Sequence, residues 1–278
     1  MNIIQQPDML SLSMNLKNFI IGSSRQTTFT LKAGDKELVS QVYAPDENGV
    51  MEIDIHEIVH SFLSYSLKDI GEVYQQTNLV ADFTAVIDST EITFRVIRSG
   101  VDRLTDSPTN FLTQNFLTWQ PNVKPVTYYS PEFLTYYAVV AGTVKLRAYF
   151  TDESGTVKSQ TDYTVTELMP GIAYTMPLQY SVVAGWLEHK LPAYYDVWVE
   201  NTSGQRLTYI QRYYAEDMRS EQEQWILFEN SLGGVDTFRA YGNTVFNGEH
   251  THNIAEIDDF FSEYRVDTER KFQKSTGY

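Results

Sequence analysis

Short β-forming runs, each ended by a turn signal, recur along nearly the whole chain, and this recurrence restricts the fold more than any other feature. Residues 27–31 (TTFTL) and 38–43 (LVSQVY) flank Ala33-Gly34-Asp35 as a hairpin would. Residues 50–55 (VMEIDI) alternate apolar with polar, the period of a half-buried strand. Residues 80–87 and 91–97 form another pair around Asp88-Ser89-Thr90. The series resumes at 144–150 (VKLRAYF), 157–165, 180–183, 196–200 (DVWVE) and 207–214. Only Ile58, Val59, Phe62 and Leu63 switch to helical spacing, so one short helix is expected near residues 55–65. The pattern predicts a mostly β chain with two consecutive sandwich domains of the immunoglobulin or fibronectin kind.

At 278 residues the chain exceeds one average domain. The strand pattern loosens between residues 99 and 125, which places domains at 1–118 and 119–217. Residues 218–278 read as a C-terminal β segment, the start of a third domain or a truncated end. Its last strands carry alternating charges and reach Tyr278 without a closing element, so an open sheet edge is expected there, covered by a partner or by further chain. Residues 43–50 (YAPDENGV) resemble 149–157 (YFTDESGTV), which suggests duplication of one domain.

The absence of cysteine excludes disulfides and thiolate metal sites. A net charge of −15 repels phosphate backbones, which argues against nucleic acid as a partner. No apolar stretch has the length of a membrane span, and no export signal is evident at the start, so the expectation is folding in the cytoplasm without a membrane partner.

The sharpest chemical motif is His56-Glu57-Ile58-Val59-His60, which fits H-E-x-x-H. On a helix the two histidines share a face and are spaced to hold Zn²⁺, with Glu57 activating water. The context is poor for a zinc peptidase. Leu63 and Ser66 stand where the extended motif has Gly and His, and a third ligand such as Glu72 has no support. Solvated residues on a short surface helix are the preferred reading. His250 and His252 would share a face in a strand, but the preceding Asn247-Gly248-Glu249 points to an exposed loop. Acidic turns at 46–48 and 152–154 lack calcium-loop spacing. No P-loop, nucleophile elbow or dinucleotide fingerprint is present. The expectation is therefore no catalytic, cofactor-binding or metal residues, and no enzyme. Tyrosine pairs at 128–129, 136–137, 194–195 and 213–214 suit interfaces, with one member of each pair in the core. Trp119, Trp186 and Trp198 are candidate platforms for a surface glycan, the alternative to a purely structural role.

Two stretches carry a resemblance. Pro7, residues 11–21 (SLSMNLKNFII), 29–31 and 43–49, and later 225–238 (WILFENSLGGVDTF), are similar to segments of uncharacterised structural proteins of Bacteroidetes phages and prophages. The resemblance implies a tail-associated virion protein made in the bacterial cytoplasm, oligomeric, and partnered by copies of itself and other virion proteins. It implies no catalytic residues, and a family chain that tends to continue past the position of Tyr278.

Overall fold

The computed structural model describes residues 1–217, 220–257 and 260–276, with side chains described outside 255–264. Strands make up 50% of it and helices 9%, in small, mainly antiparallel sheets with no closed barrel, the β-sandwich class expected from the pattern. Two compact units are present: Met1–Glu216 with Leu227–Asp236, and Asp217–Ile226 with Thr237–Tyr278.

The first unit opens with β1 (Asn2–Gln5), β2 (Leu10–Leu12), β3 (Phe19–Gly22), β4 (Thr27–Ala33), β5 (Lys36–Tyr43) and β6 (Val50–Ile53). Helix α1 (His56–Phe62), β7 (Tyr74–Gln75), β8 (Val80–Ile87) and β9 (Thr90–Ile97) follow. A three-stranded sheet, β1-β3-β6, and a five-stranded sheet, β2-β9-β8-β4-β5, face each other. Alternation sends Phe19, Phe29, Phe83 and Phe94 inward, where their rings pack edge to face or stacked. Ile55, Val59 and Leu63, at helical spacing, bury α1 against the same core.

After α2 (Pro108–Gln114) come β10 (Val123–Val126), β11 (Phe133–Tyr137), β12 (Gly142–Thr151), β13 (Val157–Leu168), β14 (Ala173–Pro177), α3 (Tyr180–Trp186), β15 (Tyr194–Asn201) and β16 (Gln211–Ala215). The order β10-β16-β15-β12-β13 makes a five-stranded sheet, and β11-β14-β7 a three-stranded one. Thus β7, from the first hundred residues, completes the sheet of the second sandwich.

Residues 180–183 correct the strand expectation. They open α3, because Tyr180, Val183, Ala184 and Leu187 repeat at helical spacing and bury one face. The loosened stretch also contains a helix. Ser107 caps α2 by accepting from the Asn110 N–H, with Pro108 in its first turn, so the apparent break was a helix start.

The sequence likeness between 43–50 and 149–157 is a shared turn. The Asp46 carboxylate accepts the N–H groups of Asn48 and Val50, and Asp152 accepts those of Ser154 and Thr156. Gly49 and Gly155 take φ of 75° and 78°. Asn201 and Asn230 build the same turn, with Gly204 and Gly233. The first turn joins β5 to β6, in different sheets, whereas the second joins the paired β12 and β13, so the correspondence ends at the turn.

The Asn230 turn is the tip of a hairpin formed by β17 (Gln224–Glu229) and β18 (Val235–Ala240). Leu232 and Val235 enter a core shared with Leu12, Leu79 and Ile97 of the first sandwich, Leu112 and Leu117 of the connection, and Tyr137 and Ala173 of the second. Asn230 donates to the Leu117 carbonyl at 3.1 Å. Asp236 accepts the Thr118 hydroxyl at 2.5 Å and the Trp119 N–H at 3.2 Å. The backbone approach leaves no room: a Cβ on Gly233 would collide with the Arg98 carbonyl, and one on Gly234 with that of Leu117. Gly233→Ala and Gly234→Ala are therefore each expected to lower stability by about 2–4 kcal/mol in urea denaturation. Gly155, at φ 78° in open space, provides the control, with a loss of about 1 kcal/mol on change to Ala. Equal losses at all three positions would contradict this account.

Candidate functional site

The second unit contains a long two-stranded hairpin, β19 (Thr244–Ile257) with β20 (Phe260–Lys274). At roughly 3.3 Å per residue the fourteen residues of β19 span about 45 Å. Its base is held by Lys274, which donates to the carbonyls of Gln222 and Gly242, and by Ser275 N–H to the Asn243 carbonyl at 3.0 Å. Beside it Arg239 pairs with Glu223 at 2.7 Å and lies over the rings of Trp225 and Tyr241.

Register sorts the hairpin into two unlike faces. Opposite pairs Phe246–Phe272, Gly248–Arg270, His250–Thr268 and His252–Val266 share one face. The rings of Phe246 and Phe272 meet edge to face at 5.1 Å, yet the residues remain 68% and 63% exposed. No carboxylate stands on this face among these residues. The other face carries Lys271–Glu249 at 2.8 Å, Lys271–Glu269 at 3.6 Å and Arg265–Asp267 at 2.6 Å, exposed pairs worth little to stability. His250 and His252 lie in this strand rather than in the loop expected for them. Alternation continues through Asn247-Gly248 because Gly248 sits opposite Arg270 inside the ladder instead of turning the chain.

The H-E-x-x-H residues lie on α1 as expected. His56 and His60 stack at 6.0 Å, Glu57 is exposed, and the His56 Nε2 is buried without a hydrogen-bond partner among the described residues. His60 Nδ1 shares a 2.9 Å hydrogen bond with the Ser13 hydroxyl. Arg98 donates to the His60 and Leu63 carbonyls, placing a cation beside the ring. Burial, Arg98 and His56 all hold the His60 imidazole below its ordinary pKa. Among the described residues no group of three or more His, Asp or Glu is placed to hold a metal, Glu72 included.

The aromatic candidates separate. Trp186 stacks on Tyr163 at 5.5 Å, and Trp198 is bonded to Glu200 and lies under Arg147. Trp119 is 59% exposed. Tyr136 and Tyr137 are both buried, correcting the one-in-one-out expectation, because β11 has a core on each side: Tyr136 enters one and Tyr137 the other. Tyr128 and Tyr129 are both exposed, in a turn rather than a strand.

Sequence reasoning missed one feature. Glu132 is fully buried, 2.8 Å from the Lys124 ammonium, which also reaches the Gln120 side-chain carbonyl. Its Oε1, the Tyr213 hydroxyl and the Gln211 Oε1 are buried polar atoms without hydrogen-bond partners among the described residues. Burial pushes the Glu132 carboxyl up to about 7, against the pull of Lys124. Only the alternation of 123–126 hinted at a lysine facing inward.

No protein-family model and no curated protein matches the chain. Among solved structures it is similar to that of a 1.5-MDa bacterial ice-binding adhesin, at 12% identity over 98% of this chain and 82% of that one, with a TM-score of 0.20. It is also similar to Salmonella alpha-2-macroglobulin reacted with methylamine, at 8% identity over 97% of this chain and 20% of that one, also with a TM-score of 0.20. Overlap of that extent defines neither a shared fold nor a shared activity.

A raised folded-state carboxyl contributes fully below its unfolded value of 4.5, and that contribution is lost as pH rises toward 7. Glu132→Gln is thus expected to flatten the fall in stability across that window by an amount on the order of 3 kcal/mol, read from urea midpoints against pH. The variant also alters the buried contact with Lys124, so the slope and not the absolute stability is the readout. Parallel profiles would refute the assignment.

Proposed function

We propose that this chain is a non-enzymatic structural and assembly protein of a virion, tail-associated in a phage or prophage, acting through interfaces with copies of itself and with neighbouring virion proteins. The carrying observation is the β19–β20 hairpin. Its strands pair with each other and with no other described strand, and Phe246, Ile254, Val266 and Phe272 are exposed on it. A lone two-stranded hairpin is marginal in water, and its unpaired edges invite another chain. The aromatic face suits a homotypic contact. In a chain of net charge −15, residues 246, 248, 250 and 252 and their partners 272, 270, 268 and 266 bring no acidic side chain to this face. The resemblance of 225–238 to phage structural proteins supports the same reading, since those residues serve here as turn and packing positions.

Light scattering on the purified chain tests this, together with mass spectrometry of purified particles. The expected outcome is a concentration-dependent oligomer that Phe246→Glu with Phe272→Glu converts to monomer, with the melting of the first unit unchanged. A chain that stays monomeric at every concentration and is missing from the particles would refute the proposal.

A further inference from the structure

Beside Trp119 lies a cleft of about 220 Å³, lined by Phe111, Asn115, Gln120, Asn122, Tyr209 and Leu232 among others. Three properties of its wall are chemically selective. First, the platform is fixed: the indole Nε1–H donates to the Ser231 hydroxyl at 2.9 Å, and the Trp119 N–H donates to buried Asp236. The ring is therefore held by the hairpin tip, and binding would not have to immobilise it. Second, the lining carries no charged side chain, although charged residues are 21% of the chain. Third, apart from the Thr118 hydroxyl, which is committed to Asp236, its polar side chains are amides and a phenol. The Asn122 side chain is exposed and has no hydrogen-bond partner among the described residues, and the Gln120 Nε2 is buried without one.

We propose that this cleft binds one ring of a neutral sugar. An apolar C–H face of a pyranose would lie on the indole, and its hydroxyls, each donor and acceptor, would meet the exposed amide of Asn122. Ionic ligands find no counter-charge here. A peptide of several residues would need a longer groove, since specific protein contacts bury on the order of 800 Å² per partner. Trp186 and Trp198 offer no such platform, because Tyr163 and Arg147 cover them.

The test is saturation-transfer NMR and intrinsic fluorescence with glucose, galactose, mannose and N-acetylglucosamine and their neutral disaccharides. Saturable binding is expected for at least one of them, weakened about tenfold or more by Trp119→Ala and severalfold by Asn122→Ala. Asn122 is exposed, so its variant keeps the fold and remains informative if Trp119→Ala does not. Absence of saturable binding to every sugar overturns the proposal. So does binding that both variants leave unchanged, or a loss of self-association, without any sugar binding, on changing Trp119.

Discussion

The first unit depends on two paired strands with no solvent side. In β11-β14-β7, Leu134, Tyr136, Tyr174 and Met176 point into the core of the second sandwich, while Tyr137 and Ala173 point into the core shared with the first. All five residues of β11 and all five of β14 are buried. A strand covered on both faces loses the inside–outside alternation that normally sets register. Burial alone would therefore tolerate a slip of one residue.

Polar groups remove that tolerance. Thr135 and Thr175 stand opposite each other with their hydroxyls 2.9 Å apart. Tyr65 and Gln76 both reach the Thr175 hydroxyl, and Gln76 closes a second pair of bonds onto the backbone of Ser66. A shift of register would leave these buried groups unpartnered, at roughly 1–3 kcal/mol each. The hairpin tip does comparable work at the outer wall of the shared core. There the Leu117 carbonyl accepts from Asn230, and Asp236 gathers Thr118 and Trp119. Buried loops are rare because their backbone groups need partners, and this one is tolerated because a remote turn supplies them.

Much of the strand layout was readable because alternation is a local signal. β8 spans the run expected for it, and β4, β5, β12 and β15 fall on theirs within a few residues. The helix α1 was readable from four apolar positions. What failed were elements whose local chemistry is ambiguous. The β-branched pair Val182-Val183 reads as strand until Tyr180 and Leu187 are counted with it, and Ser107-Pro108 reads equally as a break or as a helix start. The third case was a matter of distance. Nothing near Tyr137 tells that Leu232 will cover it, and nothing near Lys124 tells that Glu132 will be sealed in with it. The glycines of 233–234 were visible as a turn, but their intolerance of a side chain comes from Arg98 and Leu117, more than a hundred residues earlier. The Trp119 cleft shares this origin, since its platform residue was named from sequence while the serine that orients it belongs to the hairpin tip.

The two units differ in how completely they satisfy themselves. In the first, apolar surface from distant stretches is brought into closed cores, although large apolar side chains such as Met9, Tyr129 and Leu191 remain exposed on it. In the second, the described strands of the long hairpin pair only with each other, and aromatic area on one face is left to water. Cross-strand pairs such as Phe246–Phe272 contribute about 0.2–1 kcal/mol each, too little to offset the entropy of ordering two strands of this length. Hydrophobic area that a chain leaves unburied remains available to another chain, and a contact made there stabilises the partner interface and the hairpin together. A contact on that face would add the burial that the long hairpin lacks, whereas the cores of the first unit are already closed.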